Sequence, residues 1–250
     1  MVMIVVKYFK LAWAFVCAFW ILWIKFPHLS STEKLSAIQQ WSIQTLEVLN
    51  VRLEKPLHID LVRIAEQPQL WVANHVSWVD ALIIQAIQPS IFVAKAEVKQ
   101  WPVVGAIATA CGVIYVKRSS PSSARQMVDD AAHALRNGFH VACFPEGTSS
   151  EGLEVKPLHA NMFETAIRQD IPVQPLCIRY THAITGAHCT EAAFVGDLGF
   201  IESLHKVMSC DGIHAKVNLG QTLSPRGHSR KSLAQLAHHN LSAQLMSLSA

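Results

Sequence analysis

The sequence predicts an α/β domain with a mostly parallel sheet flanked by helices, preceded by a hydrophobic helix and an amphipathic helix. From residue 69 onward, short β-branched runs alternate with helix-length segments. Residues 11–24 are apolar without interruption. The 250 residues are 51% apolar and only 16% charged, whereas soluble domains average about 25% charged residues. This length suits one large domain with an appendage, and the charged surface is too small for an ordinary free-floating enzyme.

The apolar run at the amino end, LAWAFVCAFWILWI, lies between Lys10 and Lys25. As a helix, its 14 residues would measure about 21 Å, shorter than the roughly 30 Å hydrocarbon core of a bilayer. Its three tryptophans, at positions 13, 20 and 23, are side chains of the kind that settle at headgroup depth. We therefore expect a retained membrane anchor that lies in the interface rather than spanning the bilayer. A cleaved signal peptide is the alternative, although no clear small-x-small cleavage site follows the run.

A second helix is predicted to start after Ser30, which forms a capping-box pair with Glu33. Apolar residues then repeat at nearly helical spacing, so this helix either packs on the domain or faces the membrane. We expect residues 1–50 to form the membrane-anchoring helices. Residues 51–250 should form the α/β domain, because no repeat or linker divides them.

Six strands and six helices are predicted beyond residue 69. The strands are residues 70–73, 91–94, 113–116, 140–144, 173–179 and 214–219. The helices are residues 79–87, 102–110, 121–137, 158–168, 200–208 and 229–247. Binding sites in such folds form beyond the carboxyl ends of the parallel strands, so the loops there are the first candidates for function.

Several classes of function are disfavoured by patterns that the sequence lacks. The net charge of +3, without a run of five basic residues, is too mild for a nucleic-acid partner. The glycine motifs of dinucleotide and nucleoside-triphosphate sites and the G-x-S-x-G nucleophile motif do not occur. The six cysteines lie far apart, which indicates small buried side chains in a reducing compartment. No His or Cys spacing matches a zinc pattern, so we expect no metal.

His75 stands just after the first of these strands and is followed five residues later by Asp80. A carboxylate on one ring nitrogen fixes the tautomer of an imidazole and stabilises the imidazolium, as general-base catalysis requires. Residues five apart on a helix point about 140° apart, so the pair can meet only if the chain at His75 is still a turn. We expect Ser77 to cap the next helix, with Asp80 at its third position. Ser77-x-x-Asp80 is also a capping box, so a structural role is the alternative; the two carboxylate oxygens allow both.

Two further clusters follow strands. Residues 144–150 read FPEGTSS, in which glycine and small hydroxyls turn the backbone and Glu146 could hold a substrate hydroxyl. An ordinary strand-to-helix loop is the alternative. Lys95 ends one strand, and Lys117 with Arg118 ends another. Such cations bind phosphate or carboxylate groups unless they are solvated strand ends.

In this order, these blocks resemble the phospholipid/glycerol acyltransferase family, of the lysophosphatidic acid acyltransferase type. The family's N-H-x-x-x-x-D motif is matched by Asn74, His75 and Asp80, and its G-x-x-[FY]-[IV]-x-R motif by Gly112, Tyr115, Val116 and Arg118. The F-P-E-G-T-x-S and V/I-P-V-x-P motifs are matched by residues 144–150 and 171–175. The resemblance covers roughly residues 55–220. The arginine common in the third motif is Ser149 here, and PLHAN at 157–161 is similar to bacterial branches that acylate other lyso-lipids.

The resemblance implies a glycerol-phosphate acyltransferase-like fold and an O-acyltransferase. Its implied reaction moves a fatty acyl group from acyl-CoA or acyl-carrier protein to the free hydroxyl of a lysophospholipid, with 1-acyl-sn-glycerol 3-phosphate giving phosphatidic acid. His75 and Asp80 are the expected catalytic residues. We expect substrate to be bound by Asn74, Lys95, Gly112, Lys117, Arg118, Glu146, Gly147, Thr148 and Ser149.

No cofactor is expected besides the acyl donor, which is a co-substrate. The expected partners are the lipid bilayer, the lysophospholipid acceptor and acyl-CoA or acyl-carrier protein, at the cytoplasmic face of a bacterial inner membrane. Three alternatives stay open: the same chemistry on another acceptor such as lyso-ornithine lipid, a thioesterase-like hydrolase, and a non-catalytic lipid-binding membrane protein.

Overall fold

The computed structural model describes residues 2–54, 67–101, 103–117 and 120–249. The strands are β1 (Val51–Glu54), β2 (Leu70–Ala73), β3 (Ser90–Lys95), β4 (Ile114–Val116), β5 (His140–Cys143), β6 (Val173–His182) and β7 (Ile213–Leu219). The α-helices are α1 (Val2–Trp20), α2 (Ser31–Val48), α3 (Val79–Ile87), α4 (Val104–Ala110), α5 (Pro121–Arg136), α6 (Phe163–Gln169), α7 (Phe200–Ser209) and α8 (Arg230–Ser247). Arg118, a predicted substrate ligand, lies outside the described residues.

The strands form one sheet in the order β1-β7-β6-β2-β5-β3-β4. All neighbouring strands are parallel except β6 and β7, which are antiparallel. The predicted α/β class with a mostly parallel sheet is therefore confirmed. Leu70 of β2 lies opposite Val141 of β5 and Val173 of β6. In this register, the loops that follow β2 and β5 leave the sheet at the same edge.

The central strand β2 is buried on both faces, and its side chains alternate between two apolar layers. Trp71 and Ala73 pack in the layer that contains residues of α2, α3 and α7. Leu70 and Val72 pack in the layer of α5, α6 and α8. Both faces of the sheet are thus covered by helices, as a parallel sheet requires.

The predicted elements are present, with differences that have local causes. Helix α6 begins at Phe163 rather than at residue 158, because the backbone N–H of His159 is bonded to the carbonyl of Pro145 at 2.8 Å and holds that stretch as a loop. Helix α3 begins at Val79, so Asp80 is its second residue and not its third. Strand β1 was not predicted, since its four residues include two charged ones, Arg52 and Glu54.

The two amino-terminal helices pack against each other. The predicted capping box of α2 is confirmed: the N–H of Ser30 donates to a carboxylate oxygen of Glu33 at 2.8 Å, and the N–H of Glu33 donates back to the Ser30 hydroxyl at 3.3 Å. Trp41 of α2 donates its indole N–H to the carbonyl of Ala14 in α1 at 3.1 Å. The helix pair is therefore fixed by specific contacts rather than by hydrophobicity alone.

Helix α1 is apolar on its outer face as well as on its inner face. Leu11 and Ala18 are buried against the domain. On the opposite face, exposed apolar side chains recur every three or four residues: Val5, Phe9, Trp13, Val16 and Trp20. The π-helical turn that follows, Ile21–Lys25, adds the exposed Trp23. By length and composition, the segment Val5–His28, with a mean hydropathy of 1.7, is able to cross a membrane.

Candidate active site

The predicted pair of His75 and Asp80 meets in the structure. Nδ1 of His75 lies 2.8 Å from Oδ2 of Asp80, because the chain between β2 and α3 is a turn and has not yet become helical. The same oxygen accepts the backbone N–H groups of Val76 and Ser77 at 2.8 and 2.9 Å. One carboxylate therefore fixes the turn and the imidazole together. The prediction that Ser77 caps α3 is wrong: the N-cap is Trp78, whose side chain makes no capping bond, and the N–H of Asp80 donates to the backbone carbonyl of Ser77 at 3.2 Å rather than to its hydroxyl.

The second oxygen of Asp80 is bound by a residue that the sequence did not suggest. The hydroxyl of Tyr180, on β6, donates to Oδ1 of Asp80 at 2.6 Å, and both side chains are buried. Burial, reinforced by the neighbouring carboxylate, raises the pKa of Tyr180 well above its usual value, so its hydroxyl stays protonated and remains a donor. No short-range pattern signals this contact, since 100 residues separate the partners.

The imidazole of His75 is held flat but remains accessible. It stacks on the ring of Phe144, with centroids 4.1 Å apart and planes within 9°. Its side chain is 21% exposed, whereas that of Asp80 is 0% exposed. Because Nδ1–H donates to the carboxylate, Nε2 is the ring nitrogen that can accept a proton. Among the described residues, none is hydrogen-bonded to Nε2.

Glu146 supports the same turn from the loop after β5. Its carboxylate oxygens accept the backbone N–H of His75 at 2.7 Å and that of Lys156 at 2.9 Å. Burial raises the pKa of this carboxyl, and the two N–H bonds oppose that shift. These contacts position the His75 backbone; a contact between Glu146 and substrate stays a prediction.

Both polar atoms of the Asn74 side-chain amide are hydrogen-bonded to the backbone of the neighbouring strand, β6. Its Nδ2 donates to the carbonyl of Ile178 at 2.9 Å, and its Oδ1 accepts the N–H of Ile178 at 2.8 Å. The side chain is buried, so its observed role is to anchor the turn to β6. The predicted contact with substrate is not part of this arrangement and stays a prediction.

The loop after Glu146 lines the space in front of His75. Gly147 has φ +68°, and a Cβ there would lie 2.9 Å from Cδ2 of His159, so both conformation and space favour glycine. Thr148 is exposed, with its side chain at the cavity wall. The hydroxyl of Ser149 donates its hydrogen bond to the backbone carbonyl of Phe194. The Ser149 hydroxyl hydrogen is therefore already used within the protein.

A largely apolar cavity of about 1020 Å³ extends from His75 to the inner faces of α1 and α2. Its walls include Phe15, Ile38, Trp41, Trp78 and Phe92. The predicted cations Lys95 and Lys117 also line this cavity. The predicted residue Gly112 is exposed, with φ +78°, at the turn that precedes β4, and is not among the cavity-lining residues of the described chain.

Comparison with known proteins agrees with the motifs. The Acyltransferase family model matches residues 48–179. The chain is 33% identical over 171 residues to the lyso-ornithine lipid O-acyltransferase of Pseudomonas aeruginosa, an alignment covering 68% of this chain and 65% of that protein. It is 30% identical over 190 residues to the 1-acyl-sn-glycerol-3-phosphate acyltransferase of Neisseria gonorrhoeae, covering 76% of this chain and 71% of that one. The chain therefore spans about two thirds of the length of these curated relatives.

The fold has a solved counterpart. The 1-acyl-sn-glycerophosphate (LPA) acyltransferase, PlsC, from Thermotoga maritima superimposes with a TM-score of 0.67 over 98% of both chains, at 17% sequence identity. At that identity, the likeness confirms the fold alone. The family model, in contrast, covers more than half of the 250 residues and includes the His75 turn and the Glu146 loop. This match confirms the resemblance predicted from the motifs, and the chain belongs to the Acyltransferase family.

Proposed function

We propose that this chain is an O-acyltransferase that moves a fatty acyl group from acyl-CoA or acyl-carrier protein to the free hydroxyl of a lysolipid. The observation that carries the proposal is the contact of 2.8 Å between His75 Nδ1 and Asp80, at the wall of a large apolar cavity. Membership of the Acyltransferase family supports the reaction class.

The proposed reaction is one displacement at the thioester carbonyl. Nε2 of His75 takes the proton from the acceptor hydroxyl as its oxygen attacks the carbonyl carbon, forming the new C–O bond. Collapse of the tetrahedral intermediate breaks the C–S bond. The leaving thiolate then takes the proton back from His75, so the enzyme needs no cofactor and forms no acyl-enzyme. Asp80 holds the imidazole and stabilises the transient imidazolium.

The cavity suits the acyl chains of donor and acceptor. Apolar side chains from α1, α2 and α3 form part of its wall. An apolar chain of the substrate gains roughly 0.8 kcal/mol for each CH₂ group that leaves water. The cavity therefore provides binding energy at a distance from the reacting atoms, and this energy can hold hydroxyl and thioester together beside His75.

Cations at the wall of the same cavity support a phosphate-bearing acceptor, 1-acyl-sn-glycerol 3-phosphate. Lys95 and Lys117 supply two cations there. We propose that these side chains bind the headgroup phosphate, with Arg118 completing the cluster as the second family motif implies. Thr148, which also lines the cavity, would add a hydroxyl donor.

A second acceptor, lyso-ornithine lipid, has support of its own. Ser149 occupies the position that is often arginine in the third motif, and its hydroxyl is bonded to Phe194, so this position supplies no cation. Relatives named lyso-ornithine lipid O-acyltransferase occur in both Pseudomonas aeruginosa and Rhizobium meliloti, at 33% and 31% identity.

We further propose that the enzyme works at the cytoplasmic face of a bacterial inner membrane, with α1 lying in the interface. The apolar outer face of α1 supports membrane contact, and its inner face packs on the protein through Leu11, Ala18 and Lys7. A helix fastened to the domain along its length fits the bilayer surface better than a span surrounded by lipid.

The test is an acceptor panel in phospholipid vesicles that contain the full-length protein and radiolabelled acyl-CoA. Separate vesicles carry 1-acyl-sn-glycerol 3-phosphate, lyso-ornithine lipid or no lysolipid. The variants are His75→Ala and a matched histidine control, His239→Ala, at an exposed position of α8. Labelled acyl-carrier protein replaces acyl-CoA in a second series.

We expect label in phosphatidic acid for the wild type and for His239→Ala, and a loss of that label for His75→Ala. Label in acylated ornithine lipid instead would assign the second acceptor. Fatty acid released at the same rate with and without lysolipid would show a thioesterase and overturn the transferase proposal. Transfer by His75→Ala at the wild-type rate would exclude His75 as the base.

A further inference from the structure

A second group of chemically active side chains lies at the end of β6, where the proposed reaction uses none of them. His182, Cys189, Glu191 and Cys210 each direct one ligand-type atom toward the others, and these atoms all lie within 4.8 Å of one another. Nε2 of His182 is 3.2 Å from Oε2 of Glu191, and Sγ of Cys189 is 3.7 Å from that same oxygen. Two thiols, an imidazole and a carboxylate therefore converge from three segments of the chain.

The backbone holds these segments in place. His182 and Cys189 belong to a hairpin in which the N–H of Cys189 donates to the carbonyl of Tyr180 at 3.1 Å and Thr181 pairs with His188. The alternation of side chains across this hairpin places His182 and Cys189 on one face. Beyond the hairpin, the N–H of Ala183 donates to the carbonyl of Gly212 at 3.0 Å, which brings the end of α7 and Cys210 alongside. The four side chains are preorganised rather than gathered by chance rotamers.

Their geometry and chemistry match a tetrahedral metal site. A zinc ion bound by sulfur at about 2.3 Å has neighbouring ligand atoms roughly 3.3–3.8 Å apart, close to the separations seen here. Thiolates with imidazole select Zn²⁺ over the hard cations Mg²⁺ and Ca²⁺. Both thiols are buried, while the side chains of His182 and Glu191 are 30% and 43% exposed, which gives an ion a path from solvent.

We propose that His182, Cys189, Glu191 and Cys210 bind one Zn²⁺ ion in a structural site that fastens the hairpin after β6 to the end of α7. This proposal is independent of the acyltransferase reaction and departs from the expectation, based on sequence spacing, that the chain has no metal site. The ligands are separated by 7, 2 and 19 positions, so no short motif reveals them.

The charges around the site are compatible with this assignment. Binding releases two thiol protons and leaves two thiolates, one carboxylate and Zn²⁺, with a net charge of −1. Nζ of Lys7 is bonded to the carbonyls of Met208 and Cys210 at 2.9 and 3.1 Å. Because Lys7 belongs to α1, the ion would also stabilise the surface on which the amino-terminal helix packs.

The test measures metal content and ligation in the full-length protein, purified in detergent without a histidine tag. The preparation is incubated with Zn²⁺, freed of unbound ion and analysed by mass spectrometry of the metal. Co²⁺ is used in parallel, because its visible absorption reports tetrahedral thiolate ligation. The variants are Cys210→Ser, Glu191→Gln and His182→Ala, with Cys17→Ser in α1 as the matched cysteine control.

We expect about one Zn²⁺ per chain in the wild type and in Cys17→Ser, and a Co²⁺ spectrum with thiolate character. Cys210→Ser should weaken binding by at least about tenfold, since loss of an outer-shell partner alone costs roughly 10–100-fold. His182→Ala and Glu191→Gln change partly exposed side chains and should fold even if Cys210→Ser does not; each should also weaken binding. Equal metal content in wild type and all three variants, or a disulfide between Cys189 and Cys210 in place of metal, would overturn the proposal.

Discussion

Two histidines lie at opposite edges of the same sheet and have opposite environments. His75 follows the carboxyl end of β2, stacks on Phe144, and has a carboxylate on Nδ1 and an open Nε2. His140 begins β5 at the amino edge, is buried, and accepts the indole N–H of Trp71 on Nδ1 at 3.4 Å. Burial lowers the pKa of His140 to about 4.

The difference shows that position in the fold, rather than residue type, decides what a histidine can do. The cost of burying a charge lowers the pKa of His140 and keeps its ring neutral. The carboxyl edge instead supplies turns, backbone N–H groups and space. Asp80 and Glu146 each accept backbone N–H groups of the His75 turn and so hold it in place.

The largest expected effect is a difference in kcat between variants of the two histidines, His75 and His140. His75→Ala should lower kcat for lysolipid acylation by about 10²–10⁴-fold, the range for loss of a general base, with little change in thermal unfolding. His140→Ala should do the reverse, lowering stability by about 1–3 kcal/mol because the Trp71 N–H loses its acceptor, with kcat close to wild type. Acyl transfer and thermal melts of both variants measure this. A comparable loss of kcat in both variants would remove the distinction.

The Asp80→Asn substitution has the second-largest expected effect on activity. The amide oxygen of asparagine can still accept the Nδ1–H of His75, but the neutral amide no longer supplies the charge that stabilises the protonated imidazole. We expect kcat to fall by at least about 10²-fold while the KM for the lysolipid changes little. Steady-state kinetics against lysolipid concentration, with circular dichroism to verify folding, test this. A rise in KM as large as the fall in kcat would place Asp80 in acceptor binding.

His140 makes stability depend on pH. In the unfolded chain a histidine takes up its proton near pH 6.5, whereas in the folded protein His140 resists protonation down to about pH 4. Its contribution is therefore complete above pH 6.5 and is lost as the pH falls toward 4, by about 2–3 kcal/mol. Urea unfolding of wild type and His140→Gln between pH 7 and pH 4.5 measures it. The pH dependence of the two proteins should differ; parallel curves would contradict the buried neutral ring.

The smallest expected effect belongs to Tyr180. Tyr180→Phe leaves Oδ1 of Asp80 buried without its hydroxyl donor, while the bond between Asp80 and His75 is retained. We expect a fall in kcat of about tenfold or less and a loss of stability of about 1–3 kcal/mol. A kcat as low as that of Asp80→Asn would mean that Tyr180 participates in the chemistry directly. The same assays, run side by side, decide this.

Local patterns predicted most of the fold. The alternation of apolar runs located β2, β3, β4, β5, β6 and β7, and the capping box located the start of α2. The unpredicted strand, β1, is short and partly charged, and it is stabilised by pairing with β7, more than 150 residues away in sequence. The observed start of α6 differs from the predicted one because a long-range hydrogen bond, between His159 and Pro145, competes with helix formation.

In the candidate site, too, contacts between residues close in sequence were predicted and contacts between distant residues were not. His75 and Asp80 are five residues apart, and a turn rule was enough to bring them together. Tyr180, by contrast, reaches Asp80 only through the order of strands in the sheet. Asn74 and Glu146 lie beside the His75 turn, but their bonds to backbone groups became visible only in three dimensions. Contacts set by topology, including those of the proposed zinc ligands, are outside the reach of spacing arguments.

The central claim is that Asp80 acts on the reaction through His75. A double-mutant cycle of His75→Ala and Asp80→Asn tests it directly, with kcat for label transfer to lysolipid as the readout. If the two residues work as one unit, the double variant should be as active as His75→Ala alone, because Asp80 then has no base left to orient. Losses that multiply in the double variant would show that the two side chains act independently and would contradict the account.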